Sequence, residues 1–315
     1  MFDSRSSSRT SEFVSSLGSK TGRQSMMRSG RAVATALCAL GTTSAFTGPL
    51  AGSFRASKGA ARHVARDVAR TVHMGAGGDG YDLRVVGEEG TLDYRVFFNQ
   101  GGKEISPWHD IPLKAGAPDT FNFVCEIPKY SLAKLEMFTS APSNPIAQDT
   151  KKGKVRFYHG PIFWNYGYIP QTWEDPTIKH PELHVYGDGD PVDVVEIGSV
   201  KKTVGSVTTI KPLGCLAMID DGEADFKVIA IDVNDPLAKD LNDIGDVQEL
   251  LPGYVSGIRE WFRWYKTPDD KPLNEFGYDG KAMDKAETMA VIDECNGQWR
   301  SLVDGKTEAG KMWTK

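Results

Sequence analysis

FNFVCEI, residues 121–127, sets the reading of the fold. Phe121, Phe123, Cys125 and Ile127 alternate with Asn122, Val124 and Glu126, the two-residue period of a pleated strand with one apolar face. Glu126 therefore points away from the core. Three further stretches repeat the pattern with charge on the second face. Lys134 and Glu136 share a face in Lys134–Met137, Lys154 and Arg156 in Lys154–Phe157, and Asp225 and Lys227 in Ala224–Ala230, where Phe226 and Val228 lie opposite. Such strands suit a half-buried antiparallel sheet or a small barrel with a polar mouth. Tyr94–Phe98, followed by Gly101-Gly102, predicts one more strand. Helical spacing comes late, over Gly253–Lys266 and Lys281–Val303, the second with Met289, Ile292, Trp299 and Leu302 on one face. Strands do not alternate with helices as a doubly wound sheet requires. The expectation is one α+β domain, mainly β, with helices packed outside a barrel.

The 315 residues carry 37 Lys+Arg and 42 Asp+Glu, a net charge of −5. That average hides a split. Residues 1–74 hold 11 basic and 3 acidic side chains (+8), leaving 26 and 39 (−13) for residues 75–315. All ten Tyr and all seven Trp lie in the second part, so the first lacks the means to build a core. An acidic domain disfavours nucleic acid and anionic membrane as partners, and an anionic substrate would need metal ions between it and the protein. No run of 18 apolar residues offers a spanning helix. Cys38, Cys125, Cys215 and Cys295 are scattered without a CxxC pair, the pattern of reduced thiols rather than a disulfide framework or zinc site.

Within residues 1–74, Arg28 and Arg31 precede a short apolar run, Ala32–Leu40, that ends in Thr43-Ser44-Ala45 before Phe46. This is the layout of a modest secretory signal. Arg62, Arg66 and Arg70 then recur every four residues, with Val64, Val68 and Val72 between them, a spacing that predicts a helix. The whole resembles the bipartite presequences of algae with secondary plastids, implying a plastid address on residues 1–74 and a working domain over 75–315. A mitochondrial extension shares the composition and is the alternative.

The densest feature is Gly187-Asp188-Gly189-Asp190-Pro191-Val192-Asp193. Carboxylates ~4 Å apart repel by roughly 1 to 4 kcal/mol per pair, depending on the local dielectric. Hard cations such as Mg²⁺, which take oxygen ligands, relieve that repulsion. A calcium EF-hand starting at Asp188 fails, because its sixth position would be Asp193 rather than Gly and its twelfth Ser199 rather than Glu. Asp188–Val192 also satisfies the Asp-x-Asp-x-Val string of haloacid-dehalogenase-type phosphatases, but no βαβ series surrounds it. More carboxylates follow at Asp220, Asp221, Glu223 and Asp225, with cations at Lys134, Arg156, Lys227 and Lys266. Metal-binding carboxylates beside Lys and Arg are the inventory of phosphoryl transfer.

GDGDPVDVVEIG (187–198) resembles the signature of soluble family I inorganic pyrophosphatases, and it does not stand alone. SPWHDIPL (106–113), EIPKYSLAKLE (126–136), NPIAQDTKKGKVRF (144–157), NYGYIPQTWEDP (165–176), DDGEADFKVIAIDVNDP (220–236) and EWFRWYK (260–266) match in order. The resemblance spans about 81–304 and is closest to the eukaryotic type. It implies hydrolysis of Mg-pyrophosphate to two orthophosphates on a five-stranded OB-like barrel, with several Mg²⁺ ions. By the same resemblance, Asp188, Asp193 and Asp225 hold the first metal. Asp193 bridges to a second, and Asp220 joins Asp225 on a third. Glu126 and Glu136 act on a substrate-borne metal, and Asp190 is the general base. Lys134, Arg156, Tyr166, Lys227, Tyr265 and Lys266 hold phosphate oxygens. Two departures stand out. Ile162 occupies the position, four before Tyr166, where the family often has a further Tyr, and the Tyr158–Trp164 segment is shorter. The long C-terminal tail of some fungal members is also missing, which leaves monomer and homodimer both open. The alternatives to an enzyme of this family are a haloacid-dehalogenase-type phosphatase and a non-catalytic, divalent-metal-binding OB module.

Overall fold

The computed structural model describes residues 70–72, backbone only, and 80–314. The signal-like run and the residues Arg62 to Val68 lie outside the described residues. In chain order the strands are β1 (Arg70–Val72), β2 (Asp82–Val86), β3 (Arg95–Gln100), β4 (Lys103–Ile105), β5 (Phe121–Ile127), β6 (Leu135–Met137), β7 (Ile146–Gln148), β8 (Thr150–Lys151), β9 (Lys154–Val155), β10 (Asn165–Tyr168), β11 (Tyr186–Gly187), β12 (Asp193–Glu196), β13 (Val207–Asp220), β14 (Glu223–Asp232) and β15 (Glu275–Phe276). The α-helices are α1 (Ile244–Leu250), α2 (Tyr254–Trp264) and α3 (Lys285–Val303).

Strands β14, β12, β10, β5 and β13 pair in that order, and β13 pairs back onto β14, so the five close into a ring. Only the β12–β14 pairing within that ring is parallel. This is the OB-like barrel with external helices. A second sheet, β1-β2-β3-β7-β6 with β4 on β3, packs beside it. Beyond the ring, the far edge of β13 is covered by β15 at Met218–Ile219 and by a single bridge from Cys215 to Met283.

Strand β5 departs from the expected half-buried pattern: every residue of it is buried. Phe121, Phe123 and Cys125 pack in one apolar cluster with Val194, Phe226 and Val228. Val124 packs on the other side with Trp108, Leu135 and Ile229. Ile127 joins Val124 rather than Phe123, because the β10–β5 register shifts between Tyr166 and Gly167 and places Tyr166 opposite Ile127 but Gly167 opposite Cys125. A bulge of this kind inserts one residue and flips the faces beyond it. Glu126 lies at that shift. It faces away from the Phe121 cluster as predicted, yet it does not reach solvent, being 5 % exposed.

Strand β14 shows how the two faces divide labour. Phe226, Val228 and Ala230 enter one cluster, while Ile229 and Ile231 enter the other. Asp225 and Lys227 continue the isoleucine face toward the start of the strand. Apolar side chains thus floor one end of a surface whose other end is charged.

Helix α2 confirms the Gly253–Lys266 expectation, burying Val255, Ile258 and Phe262. Helix α3 begins at Lys285 instead of Lys281, because Asp284 caps it: its side chain accepts from Glu287 N while Glu287 returns the bond to the Asp284 backbone. Such a cap contributes about 1 kcal/mol. The short α1 was not predicted; seven residues with two buried, Ile244 and Val247, give little periodic signal. Lys154–Phe157 forms a strand only as far as Val155, with a further single antiparallel bridge from Phe157 to Ala133. Arg70 and Val72 sit in β1, paired with β2, and not in a helix.

Candidate functional site

The ring gathers the predicted charges at one end. Asp188 and Asp190 occupy the loop between β11 and β12, and Asp193 opens β12. Asp220 closes β13, Asp225 and Lys227 lie in β14, Glu126 in β5, Glu136 in β6 and Tyr166 in β10. Lys134 precedes β6, Arg156 follows β9, and Tyr265 and Lys266 follow α2. A cavity opens among Glu126, Lys134, Glu136, Tyr166, Asp190 and Asp193. A separate, smaller cavity against α3 is lined by Glu174, His180, Phe226 and Cys295 but by no lysine or arginine, so it lacks the means to hold a polyanion.

The loop geometry follows from its glycines. Gly189 has φ 88°, a left-handed conformation that glycine adopts without penalty. It turns the chain so that Asp190 N donates to Asp188 Oδ1 at 2.9 Å. A Cβ on Gly187 would meet the Glu174 carbonyl at 2.5 Å, so the loop packs directly on the Trp173–Asp175 backbone. Gly189 N donates to Glu174 O, Glu174 N to Asp190 O, and the Trp173 indole to Gly189 O, each at 2.9 Å. The loop is clamped from outside the ring.

Lys227, 2 % exposed, is the hub. It donates to Asp193 and Asp225, and to the Tyr166 hydroxyl at 2.9 Å, while Tyr166 donates to Asp193. Burial works against the charged ammonium, but Asp193 and Asp225 outweigh it and hold the Lys227 pKa above its ordinary value. Asp225 moves the other way for a paired carboxylate: burial and the nearby Asp193 and Asp220 raise it to about 7 in spite of Lys227. The two shifts are reconciled by counting charges. One ammonium stays protonated, and it cannot neutralise the carboxylates around it.

The surplus is widespread. Burial, then Glu174, Asp190 and Asp225, push Asp188 well up. Burial and Asp193 do the same to Glu126, whose Oε1 accepts from Met137 N at 2.6 Å. Asp190 keeps contact with solvent at the mouth, yet crowding by the protein, then Glu136 and Asp193, raise it to about 7.

The four remaining anion-binding groups also have carboxylate partners. Tyr265 and Lys266 both donate to Asp220, the tyrosine at 3.0 Å. Lys134 donates to Glu136 and also pairs with Asp149 at 3.0 Å, as does Arg156. Asp149 was not singled out from the sequence. Burial favours its neutral form, but Lys134 and Arg156 hold its pKa below the usual range.

Glu174 was also missed as a site residue. Its carboxylate and those of Asp188 and Asp225 offer oxygens all within 4.8 Å of one another. Asp193, predicted to share a metal with Asp188 and Asp225, is not in that group; its carboxylate is turned to Tyr166 and Lys227. Glu174 Oε1 accepts from Phe226 N at 3.0 Å, but Oε2 is buried without a partner. An orphaned oxygen among carboxylates at 3 % exposure fits a hard divalent cation, which takes oxygen ligands and offsets their charge. The sequence signal for Glu174 was its place inside the matched block 165–176, with nothing in its spacing to mark it. Ile162 is fully buried in the core and offers no polar group.

An OB-like barrel carrying carboxylates and cations around one cavity defines a metal-assisted phosphoryl-transfer class of site, and comparison with known proteins narrows it. Residues 123–300 match the inorganic pyrophosphatase family. The chain is 52% identical over 238 residues to the inorganic pyrophosphatase of Kluyveromyces lactis, covering 73% of this chain and 83% of that one. It is 51% identical over 232 residues to soluble inorganic pyrophosphatase 6, chloroplastic, of Arabidopsis thaliana, covering 72% of this chain and 77% of that one. The solved inorganic pyrophosphatase of Trypanosoma brucei brucei superposes with a TM-score of 0.70 at 42% identity, covering 75% of this chain and 74% of that one. The chain belongs to the inorganic pyrophosphatase family. Asp188–Val192 accordingly sits on the edge of a barrel after the two-residue β11, and not in a doubly wound sheet.

Proposed function

We propose that the protein hydrolyses inorganic pyrophosphate to two orthophosphates, using Mg²⁺. The single observation that carries this is the shortage of positive charge around Lys227: a site with raised Asp188, Asp190 and Asp225 admits a polyanion only in company with cations. Glu174, Asp188 and Asp225, whose oxygens converge, would hold metal; Asp193 and Asp220 would join them on release from Lys227 and Lys266, and Glu126 and Glu136 would serve metal arriving with the substrate. Bound Mg²⁺ supplies electrostatic stabilisation and a more acidic water.

The protein's own groups do the rest. Asp190, at the mouth and raised to about 7, is the general base that takes the proton from the attacking water; a carboxylate this basic gives more driving force than an ordinary aspartate. Lys134, Arg156 and Lys227 neutralise phosphate oxygens as the bridging oxygen leaves, and Tyr166, Tyr265 and Lys266 orient them. Binding requires exchange: the pairs that Lys134 and Arg156 make with Asp149, and that Tyr265 and Lys266 make with Asp220, are released in part to substrate and metal. Attack by water without a covalent intermediate separates this mechanism from an aspartyl-phosphate route through Asp188.

Residues 1–74 are read as a presequence and 75–315 as the catalytic domain, with a plastid destination; mitochondria are the alternative. The −13 charge of the second part argues against nucleic acid as a partner, and no helix among the described residues is long and apolar enough to cross a membrane. Comparing pyrophosphate with a phosphate monoester tests the reaction class. The expected result is release of phosphate from pyrophosphate and negligible turnover of the monoester. Monoester turnover with a trapped aspartyl-phosphate would refute it.

A further inference from the structure

Tyr158 lies outside every group assigned so far, and its surroundings are unusual for a buried phenol. The single antiparallel bridge between Ala133 and Phe157 fixes the local register. Lys134 N donates to Arg156 O at 3.1 Å and Tyr158 N to Leu132 O at 2.7 Å. Two residues apart on an extended segment, Arg156 and Tyr158 project to the same side, while Phe157 between them is exposed. The Tyr158 ring, 7 % exposed, packs edge-on against Trp261 at 5.0 Å and Tyr265 at 6.0 Å between ring centres. The charged groups facing it are Lys134, Lys227 and Arg156, with Asp193 the nearby carboxylate.

The hydroxyl makes no hydrogen bond to another described residue. The two phenols already assigned to phosphate differ: Tyr166 donates to Asp193 and Tyr265 to Asp220. A phenol that meets no protein acceptor, with Lys134, Lys227 and Arg156 as its charged neighbours, is free to donate to an incoming anionic acceptor. Its pKa is pushed up, first by burial, so it remains a donor at working pH.

We propose that Tyr158 is a further substrate-contacting residue, whose hydroxyl donates to a phosphate oxygen of pyrophosphate on the side held by Lys134 and Arg156. This rests on the proposed hydrolysis of pyrophosphate. It gives the short 158–164 segment a role, because the phenol that Ile162 cannot supply comes from the extended segment carrying Arg156.

Tyr158→Phe keeps the ring packing and removes only the donor. A hydrogen bond to a charged acceptor is worth roughly a 10-fold change or more in binding. The expected result is a rise of about that size in KM for Mg-pyrophosphate and in the Kd for orthophosphate measured with Mg²⁺, at an unchanged melting temperature. Tyr158→His, which restores a donor, recovers part of the loss and stands in should the phenylalanine variant not fold. Wild-type KM and phosphate affinity in Tyr158→Phe would overturn the assignment while leaving pyrophosphate hydrolysis intact. Absence of hydrolysis by the unaltered protein would instead remove the reading on which it rests.

Discussion

The Lys227 ammonium lies 2.9 Å from the Tyr166 hydroxyl, and both donate to Asp193. Tyr166 is on β10, Asp193 on β12 and Lys227 on β14, so this one cluster ties three neighbouring strands of the ring at the base of the cavity. Removing the cation leaves the buried Asp225 and the half-buried Asp193 without it. Breaking a buried pair from one side costs about 3–5 kcal/mol. Lys227→Met is therefore expected to lose about that much stability in the presence of chelator, and to regain part of it in Mg²⁺, which replaces the missing charge. Denaturant unfolding under both conditions checks this; equal stability of variant and parent in chelator would contradict it.

Asp190→Asn removes the proposed base and keeps the shape of the loop. General-base catalysis contributes about 10²- to 10⁴-fold, so kcat is expected to fall by that order while calorimetric Mg²⁺ affinity changes little. Turnover near that of the parent would take the base role from Asp190.

The raised carboxylates fix the direction of pH effects. Asp190 and Asp225 hold protons below about 7, where a base is useless and a metal must displace protons. Because protons compete with Mg²⁺ for these carboxylates, activity should fall toward acid pH, and the rise in melting temperature caused by Mg²⁺ should be larger at pH 8 than at pH 6. For the metal-free protein the sign reverses. A carboxyl whose folded pKa exceeds its unfolded value of about 4 adds stability at low pH that is lost as pH rises through about 7. Thermal scans in chelator and in Mg²⁺ across this range measure both slopes. A Mg²⁺ effect that shrinks with rising pH would refute the account.

Gly187→Ala tests the clamp on the loop. The added Cβ would meet backbone at 2.5 Å, a contact that no side-chain rotation relieves. The loop must move off Glu174, and Mg²⁺ affinity is expected to weaken at least 10-fold, the range in which disturbed outer contacts affect metal sites. Calorimetry of the folded variant provides the measurement, with unchanged affinity as the contradicting result.

Much of this was legible in residue patterns, for reasons the strands make plain. Asp225 and Lys227 could be placed on one face because β14 is regular, and its two-residue period survives folding. Phe121, Phe123 and Cys125 were legible for the same reason. Ile127 was not, because the shift at Glu126 is set by pairing with β10, a partner no local pattern reveals. Burial of Glu126 was hidden similarly: its cover comes from Met137 and the second sheet. The metal and phosphate assignments came from matched blocks rather than from periodicity. Those blocks carried Glu174 and Asp149 without marking them, since a lone carboxylate acquires meaning only when folding sets it beside Asp188 or Lys134.

The most direct test is phosphate release from pyrophosphate by the full chain in Mg²⁺, with and without chelator. Metal-dependent release that chelator abolishes and added Mg²⁺ restores is the predicted result. No release in Mg²⁺, or release indifferent to chelator, would contradict the claim that this acidic site admits its anion together with magnesium.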